Sequence, residues 1–407
     1  MGDDLISPAL AGLAAAVARG VGGPLAEVAP DIALDASGPL ADWGETARLL
    51  SRHRIQALAA PALLHRQDAA LPEDLRRNLV RAVMLAVRIQ STQLAVLERM
   101  MAALEAAGLR AMSIKGPMVG RRFMARPELR LSNDLDILVD PARLDDAEAV
   151  IAANGYYRIR PAPDLSPARL AYHRRWRKDA AFLAHDRGQG PMIECHWRIF
   201  DNPRLLPLDF EALWAARRMD SLNGAAIPVI GDVQQLVYLA MHGANHGWFR
   251  LKWVADFAAV AAAAPLADRL AAAELARRLG VLPVLNHALS LAVRFFSIPL
   301  DPSETARIAA DRRVPSLDGF ALDALAHPDA SVIGLAHDRA FALRMTLHSH
   351  RLRTGPGYRV SQLISQLNDP TLMDRSTLPD GLLWMHPALR GLSYARHQIG
   401  RRIGWRR

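Results

Sequence analysis

Short strand patterns occur only in the middle of this 407-residue chain, between two regions whose apolar residues recur at helical spacing. The strand candidates lie at residues 109–114, 129–140, 180–184 and 191–200. A long helix is predicted before them at about 72–107, and Gly108 marks its end. This order predicts an α+β fold, with one mixed β-sheet and its helices flanked by N-terminal and C-terminal helical regions.

Further helix candidates lie between and after the strands. They cover residues 118–125, 141–154, 167–178, 234–246, 252–263, 267–279 and 284–296, and prolines near 315, 328, 356, 370 and 387 predict breaks between later helices. A chain of this length suits two or three packed units. We predict an N-terminal helical region at 1–108, an α/β domain at 109–230 and a C-terminal helical domain at 231–407.

The composition favours a folded chain in a reducing compartment. Hydrophobic residues make up 51% of the chain, which is enough for a sizeable core. No run of 18 apolar residues lacks a charge, so no membrane-spanning helix is expected, and the acidic first residues argue against a secretory signal. The single cysteine, Cys195, excludes an internal disulfide and a cysteine-cluster metal site. The expected location is the cytoplasm.

The basic charge of the chain is carried almost entirely by arginine. The formal net charge is +9 and the isoelectric point is about 10.3, which by themselves suit nucleic acid, an anionic membrane or phosphate-rich substrates. Only three lysines occur, Lys115, Lys178 and Lys252, so much of the charge reflects a preference for arginine throughout the chain. Because arginine cannot replace the compact ammonium group of lysine, the lysines that persist are candidates for a role of their own.

An acid–apolar–acid motif is the strongest chemical signal in the chain. Asp134 and Asp136 begin an apolar run, and alternate residues of a strand share one face. Two neighbouring carboxylates repel each other unless a cation lies between them, and Mg²⁺ favours carboxylate oxygens together with substrate phosphates. Glu194 and His196 share a face of a later strand candidate. Glu194 is therefore the predicted third metal ligand, and His196 is a candidate partner behind it.

A glycine turn precedes this motif. Lys115 and Gly116 join a strand candidate to a helix that Pro117 opens, and such a turn offers backbone N–H groups to phosphate. Lys115 adds a positive charge for the phosphate oxygens. Each part alone has a structural alternative, since an Asp-x-Asp pair often lies in a turn or on a solvated strand edge. The order of strand, glycine turn, helix and paired acids is what favours a site.

As a set, these motifs resemble the nucleotidyltransferase superfamily, which has the DNA polymerase β-like fold. More specifically, the chain resembles the bacterial uncharacterised nucleotidyltransferases. That group shows a Lys-Gly turn, an arginine shortly before Asp-x-Asp, a Glu-x-His-Trp strand, and a histidine-rich helix leading into a Lys-Trp…Asp segment. The matching residues are Lys115, Gly116, Arg130, Asp134, Asp136, Glu194, His196, Trp197, His242, His246, Lys252, Trp253 and Asp256.

The resemblance implies transfer of a nucleoside monophosphate from an NTP, with ATP expected, to an acceptor hydroxyl. Mg²⁺ or Mn²⁺ would be held by Asp134, Asp136 and Glu194, and the nucleotide by Lys115, Gly116 and Arg130. The acceptor is expected to be a small molecule, sugar or peptide, and nucleic acid is not expected. The chain departs from the superfamily where Pro117 follows Gly116 in place of Ser or Gly, so a phosphate-binding hydroxyl is missing.

A second polar cluster follows downstream. His242 and His246 lie four residues apart and share a predicted helix face, and Arg250, Lys252 and Asp256 follow. One interpretation is direct catalysis or substrate contact, in which the cations neutralise the leaving pyrophosphate. A second is a buried polar network that docks the helical domain on the α/β domain. A third, a separate zinc site at His242, His246 and Asp256, has permissive spacing but lacks the HExxH glutamate.

The last 19 residues are basic and contain no acid. Their six arginines alternate with apolar residues, which suits a helix lying on an anionic membrane, a contact with nucleic acid, or a solvated terminal helix. Two rival functions also stay open for the whole chain. One is a non-catalytic module that binds a nucleotide or a partner on the same fold, and the other is a metal phosphohydrolase that uses the histidines. The oligomeric state is not predicted.

Overall fold

The computed structural model describes residues 7–29, 40, 42–65, 71–185, 190–328, 338–370 and 378–388. Five helices come first: α1 (Pro8–Val21), α2 (Pro24–Glu27), α3 (Trp43–His53), α4 (Gln56–Leu64) and the long α5 (Glu73–Ala106). Serine or aspartate side chains cap α1 and α3 by accepting hydrogen bonds from first-turn amides. The helix predicted at about 72–107 is confirmed as α5. The basic tail of the last 19 residues lies outside the described residues.

Seven strands form one mixed sheet in the middle of the chain. They are β1 (Ala111–Ser113), β2 (Asp134–Val139), β3 (Tyr156–Arg160), β4 (Asp179–Ala184), β5 (Met192–His196), β6 (Arg218–Leu222) and β7 (Ala225–Val229). Their order across the sheet is β3-β4-β5-β2-β1-β7-β6. β2 is parallel to β5 and β1 to β7, whereas the other neighbours are antiparallel. The sheet therefore brings β5 beside β2, although 52 residues separate their ends in sequence.

Short helices connect the strands, and a longer helical array follows them. The connecting helices are α6 (Pro117–Phe123), α7 (Leu144–Ala153), α8 (Pro167–Trp176) and α9 (Phe210–Ala215). The array comprises α10 (Asp232–Asn245), α11 (Leu251–Ala263), α12 (Leu266–Arg278), α13 (Leu282–Phe296), α14 (Pro302–Ala310), α15 (Val314–Ala326), α16 (Arg339–Ser349) and α17 (Pro356–Leu367). A 3-10 helix at Asp380–Met385 comes last among the described elements. The α+β class with flanking helices is confirmed.

Two hydrophobic cores show how these units pack. One core joins the N-terminal and C-terminal helices, for example Leu13 of α1 with Phe257 of α11. The other lies against the sheet and includes Leu97 of the second half of α5 together with Ile137 and Ile193. The N-terminal region therefore packs on both other parts of the chain. This packing brings Arg54 of the N-terminal region to the cavity described below.

Several predicted boundaries need correction. The strand predicted at 129–140 begins only at Asp134, because residues 127–129 form a 3-10 helix opened by Pro127. The strand predicted at 191–200 ends at His196, and residues 197–200 bend away from the sheet. The first residues of the helix predicted at 141–154 are 3-10 rather than α. The break predicted near 387 is found where the 3-10 helix ends at Met385 and α-helical residues begin at 386.

Helix α5 is, among the described residues, long and apolar enough to cross a membrane on length and composition alone. This is weak evidence, and 28% of its apolar window is buried inside the protein. The window also carries Arg81 and Arg88, which are costly in a bilayer. Because Leu79 enters the helical core and Leu97 the sheet core, we interpret α5 as the helix that connects the two cores.

Candidate active site

The parallel register of β2 and β5 builds an acidic cluster at one position in the sheet. Asp136 lies directly opposite Glu194, and Leu138 lies opposite His196. Among the described residues, Asp136, Glu194 and His196 are the group that could hold a metal ion, and their ligand atoms all lie within 4.8 Å of one another. Three residues separated by up to 60 positions in sequence are thus brought together by strand pairing.

Hydrogen bonds and charges connect the members of this acidic cluster. The Nε2 atom of His196 lies 3.0 Å from Oδ1 of Asp136 and 3.4 Å from Oε2 of Glu194. The ammonium of Lys115 lies 2.6 Å from the same Oδ1 of Asp136. Burial and Lys178 lower the pKa of His196, but its bonds to the two carboxylates outweigh them, so the pKa is raised overall. Burial raises the pKa of Glu194, but the bond to His196 and the nearby lysines lower it overall.

Asp134 lies two residues before Asp136 on the same strand face and lines the adjoining cavity. Its partner across β5 is Met192 rather than an acid. Burial raises the pKa of Asp134, Lys115 opposes that rise, and Asp136 and Glu194 add to it. Burial would lower the pKa of Lys115, but Asp136 and Asp134 together raise it well above its ordinary value. The acids and Lys115 therefore form one charge-coupled group.

The Lys115-Gly116 turn leads from β1 into α6, as predicted. Gly116 has φ +74°, and a side chain there would bring its Cβ within 3.3 Å of the backbone oxygen of Asp134. Both the left-handed backbone and the close approach to β2 favour glycine. Pro117 opens α6 at its first turn but supplies no N–H, and α6 has only seven residues. Any phosphate contact here therefore depends mainly on the ammonium of Lys115.

Arg130 holds this turn in place through a buried ion pair. Its Nε and Nη2 atoms donate to the two carboxylate oxygens of Asp256 at 2.7 and 2.9 Å, and Nη1 donates to the carbonyl of Gly116. Lys252 contacts the same Asp256 at 3.4 Å. Burial and Arg130 lower the pKa of Lys252 to about 8, against the opposing effect of Asp256. Arg130 and Asp256 thus fix the turn to α11, while Lys252 faces the cavity.

Three further residues surround the acidic cluster. Only one of them, Lys178, was singled out in the sequence analysis, and it was given no defined role. Asp179 begins β4 opposite His196, and its Oδ2 lies 3.9 Å from Nε2 of His196. Lys178 binds Asp179 at 2.7 Å and lies 3.7 Å from Glu194. Arg160 of β3 lies 3.2 Å from Glu194. Asp179 had a detectable signal, because an acid beside one of only three lysines immediately precedes an apolar strand.

The buried, unpaired polar atoms of the cluster fit a divalent cation. Oδ2 of Asp136, Oδ1 of Asp179 and Nδ1 of His196 are buried and have no hydrogen-bond partner within the described residues. Buried polar atoms are normally paired, so two unpaired carboxylate oxygens on residues that both approach Nε2 of His196 indicate a missing ligand. Carboxylates are the donors that Mg²⁺ and Mn²⁺ prefer, and imidazole suits several divalent metals. The residues present therefore fit the metal that the family resemblance implies.

A cavity of about 620 Å³ opens over the acidic cluster. That volume lies in the range of small-molecule and cofactor sites. Its lining carries eight lysine and arginine residues against six acids, so it favours an anionic ligand. The cationic residues are Arg54, Lys115, Arg130, Arg160, Arg177, Lys178, Arg250 and Lys252.

Arg54 and Arg250 are the cavity cations without a carboxylate within 4 Å in the described part of the chain. Arg54 follows α3 in a left-handed backbone conformation, and it is exposed. No motif in the sequence marks it as a site residue, so it was not predicted. Arg250 lies over the rings of Phe249 and Trp253, each about 5.2 Å from its guanidinium. Burial and then Arg54 lower the pKa of Arg250 to about 10. Two adjacent guanidinium groups that lack acids form an attractive site for phosphate.

His242 and His246 belong to an aromatic cluster at the cavity wall. Their rings are 4.8 Å apart, and the ring of His246 lies 4.9 Å from that of Trp253. Burial chiefly, with nearby cations, lowers the pKa of His242 well below its ordinary value and that of His246 to about 3. Both imidazoles are therefore neutral at pH 7. Asp256 is bound to Arg130 and Lys252, so the three do not form the alternative zinc site.

Comparison with protein-family models matches residues 39–297 to the family described as uncharacterised nucleotidyltransferase. That span covers more than half of the chain and includes both acidic strands, the Lys115-Gly116 turn and helices α10 and α11. The chain belongs to the uncharacterised nucleotidyltransferase family. Membership supports nucleotidyl transfer as the kind of reaction. Comparisons with curated proteins and with solved structures gave no match.

Within this family assignment, the cavity combines two parts of the chain. The acidic cluster, Arg54 and the α10–α11 wall all lie inside the matched span. Gln362, Ser365, Gln366 and Asp369 also line the cavity, but they lie after residue 297. The nucleotidyltransferase family match therefore covers most of the cavity lining but not the four residues that follow residue 297.

Proposed function

We propose that this nucleotidyltransferase moves a nucleoside monophosphate from an NTP, with ATP as the expected donor, to a hydroxyl group of an acceptor. Asp134, Asp136 and Glu194 are the proposed ligands of Mg²⁺ or Mn²⁺. The observation that carries the proposal is the strand register that sets Glu194 beside Asp136, whose buried Oδ2 has no partner among the described residues, at a cationic cavity that Asp134 and Glu194 line.

The bound cations would neutralise the triphosphate and lower the pKa of the attacking hydroxyl. The residues of the chain supply the rest. The Nε2–H group of His196 donates to the carboxylates of Asp136 and Glu194 and fixes the orientation of both. Lys115 lies at the cavity wall beside Gly116, where its ammonium is within reach of a phosphate that approaches the acids.

The leaving pyrophosphate is assigned to Arg54, Arg250 and Lys252 of the cavity lining. Arg54 and Arg250 have no carboxylate partner among the described residues, and Lys252 shares Asp256 with Arg130. Guanidinium groups bind phosphate oxygens in a planar, two-point geometry. The neutral rings of His242, His246 and Trp253 are tilted to one another, by 64° between the two histidines and by 33° between His246 and Trp253. The face of a single aromatic ring suffices to stack on a planar base, so we assign the nucleoside to this aromatic cluster. Because NTPs are intracellular, we expect a cytoplasmic location.

Incubation of the full chain with each of the four NTPs tests this proposal through release of pyrophosphate. We expect release with Mg²⁺ or Mn²⁺ and a return to background after the metal is removed with EDTA, because the paired carboxylates cannot bind a triphosphate without a cation. The assay contains a mixture of sugars, peptides and small alcohols, so that an acceptor hydroxyl is present.

The products distinguish the rival functions. Release of inorganic phosphate in place of pyrophosphate would contradict nucleotidyl transfer and favour a phosphohydrolase. Nucleotide binding that is independent of metal and yields no product in any mixture would favour a binding module. In either case the role in nucleotidyl transfer given to Asp134, Asp136 and Glu194 would be wrong.

A further inference from the structure

Helix α17 has an unusual orientation in the molecule. Its apolar residues Val360, Leu363, Ile364 and Leu367 recur at helical spacing, yet each is exposed. Its polar residues face inward, where Gln362 is buried and Gln362, Ser365 and Gln366 line the cavity. An amphipathic helix normally turns its polar face to water. The reversed orientation of α17 indicates that the polar face serves the cavity.

Asn202 joins these residues to form what we call the amide wall, made of Asn202, Gln362, Ser365 and Gln366. Its carboxamides are held by bonds behind the cavity surface. The Nδ2 atom of Asn202 donates to Gln362 at 2.8 Å, and the Nε2 atoms of Gln362 and Gln366 donate to the hydroxyl of Ser349 at 3.3 and 3.0 Å. Each amide NH₂ has two hydrogens, so these bonds leave each group the capacity for one more. The amide wall is therefore fixed in place before any ligand binds.

The charged groups beside the amide wall are paired with one another. Arg177 lies 3.4 Å from Asp201 and 3.6 Å from Asp369, and all three line the cavity. One guanidinium thus faces two carboxylates, so among the described residues this wall has no cation free for an anionic ligand. The groups of the amide wall itself carry no charge, so it suits an uncharged ligand that exchanges many hydrogen bonds.

The amide wall also adjoins the acidic cluster. The backbone N–H of Lys178 donates to Asp201 at 2.9 Å, and Lys178 in turn binds Asp179 and approaches Glu194. Trp176, partly exposed at the same side of the cavity, supplies a flat apolar face. A sugar ring presents such a face together with hydroxyl groups along its edge. A ligand seated here can direct one hydroxyl toward the metal site.

We infer that the amide wall is the acceptor site and that the acceptor is an uncharged polyhydroxylated ring, a sugar or a cyclitol. This inference rests on the proposed function, because it takes the acidic cluster as the place of transfer. It goes beyond the family match, since three of the four amide-wall residues follow residue 297. Three of its four residues lie on α17, so the proposed acceptor site is formed mainly by that C-terminal helix.

Saturation-transfer NMR on the full chain tests the inference without turnover. The probes are a mixture of glucose, galactose, mannose and myo-inositol at millimolar concentration, and a separate mixture of uncharged dipeptides. We expect saturation of the sugars or the cyclitol and not of the dipeptides. In the Ser365→Trp variant, whose side chain would fill the space before the amide wall, the signal should fall roughly ten-fold or more. The Leu363→Gln variant, on the exposed face of the same helix, should keep it.

Each other outcome has a defined meaning. Saturation of dipeptides alone, of no compound at all, or an unchanged sugar signal in Ser365→Trp would overturn the inference. Should Ser365→Trp fail to fold, Ser365→Leu repeats the test with a smaller side chain. A separate measurement follows binding of the ATP–Mg²⁺ complex to both variants through the tryptophan fluorescence of the protein. It separates this result from the proposed function. Loss of sugar binding with nucleotide binding retained concerns the acceptor site alone.

Discussion

Replacement of Asp136 by asparagine is expected to lower the rate of metal-dependent pyrophosphate release roughly a thousand-fold. Asparagine keeps the size of the side chain but removes the negative charge that a cation needs. Metal ions contribute several kcal/mol to the stabilisation of a phosphoryl transition state, and each 1.4 kcal/mol is about ten-fold in rate. Asp134→Asn together with Asp136→Asn should abolish release. The measurement is steady-state pyrophosphate release at saturating NTP.

A surface acid provides the matched control for this prediction. Asp146 on α7 is about half exposed and pairs with Arg143, the last residue of the 3-10 turn before that helix. Asp146→Asn removes the same charge from the chain and should leave the rate within about two-fold, because exposed ion pairs contribute little. Equal rates in the Asp136→Asn variant and the wild-type chain would contradict the assignment of the metal site. Circular dichroism checks that both variants are folded.

Replacement of Arg130 by leucine is expected to destabilise the fold by about 3 kcal/mol or more. Arg130 is only 4% exposed and forms a two-point bond to Asp256, which is 3% exposed. Without the guanidinium, the buried carboxylate of Asp256 would keep only the 3.4 Å contact with Lys252. An unpaired buried charge is costly because neither water nor a counterion solvates it. The measurement is the free energy of unfolding in urea.

The exposed pair of Arg143 and Asp146 again supplies the comparison. Both side chains are more than half exposed, so Arg143→Leu should change the free energy of unfolding by less than about 1 kcal/mol. A cost for Arg130→Leu as small as that for Arg143→Leu would show that the buried pair does not hold the Gly116 turn to α11. The role of Arg130 as a positioning residue would then have to be abandoned.

The sequence was informative where local chemistry and strand alternation agree. The paired acids of β2, the Glu194 strand and the Lys115-Gly116 turn were all visible as local patterns, and the long helix α5 followed from its spacing and from Gly108. The partnership of Asp136 with Glu194 was a hypothesis that local patterns suggest but do not determine. It depends on β2 and β5 being parallel neighbours, which is a property of the whole sheet.

Other parts of the fold were missed for identifiable reasons. The hairpin of β6 and β7 was not predicted, although its Asn223-Gly224 turn, with positive φ at both residues, is a strong hairpin signal. The edge strand β3 alternates polar and apolar residues over only five positions and was left unassigned. Arg54 lies in the N-terminal helical region, remote in sequence from the acids, so only tertiary packing places it at the cavity.

The amide wall shows a further limit of sequence patterns. The spacing of Val360, Leu363, Ile364 and Leu367 predicts that this face of α17 packs inward, whereas the fold turns it outward. Amphipathic spacing identifies two faces of a helix but does not say which one the tertiary structure buries when the interior is a polar cavity. The residues that we assign to the acceptor therefore could be recognised only after the cavity was known.

Titration of the chain with Mn²⁺, followed by electron paramagnetic resonance of the free ion, tests the metal site most directly because it needs neither nucleotide turnover nor an acceptor. If Asp134, Asp136 and Glu194 converge on a shared cation, the wild-type chain should remove Mn²⁺ from solution in a saturable way. Glu194→Gln and Asp136→Asn should each weaken that binding at least about ten-fold, whereas Asp146→Asn should not. Saturable binding of equal strength in all four proteins would contradict the account, as would a wild-type chain that binds none.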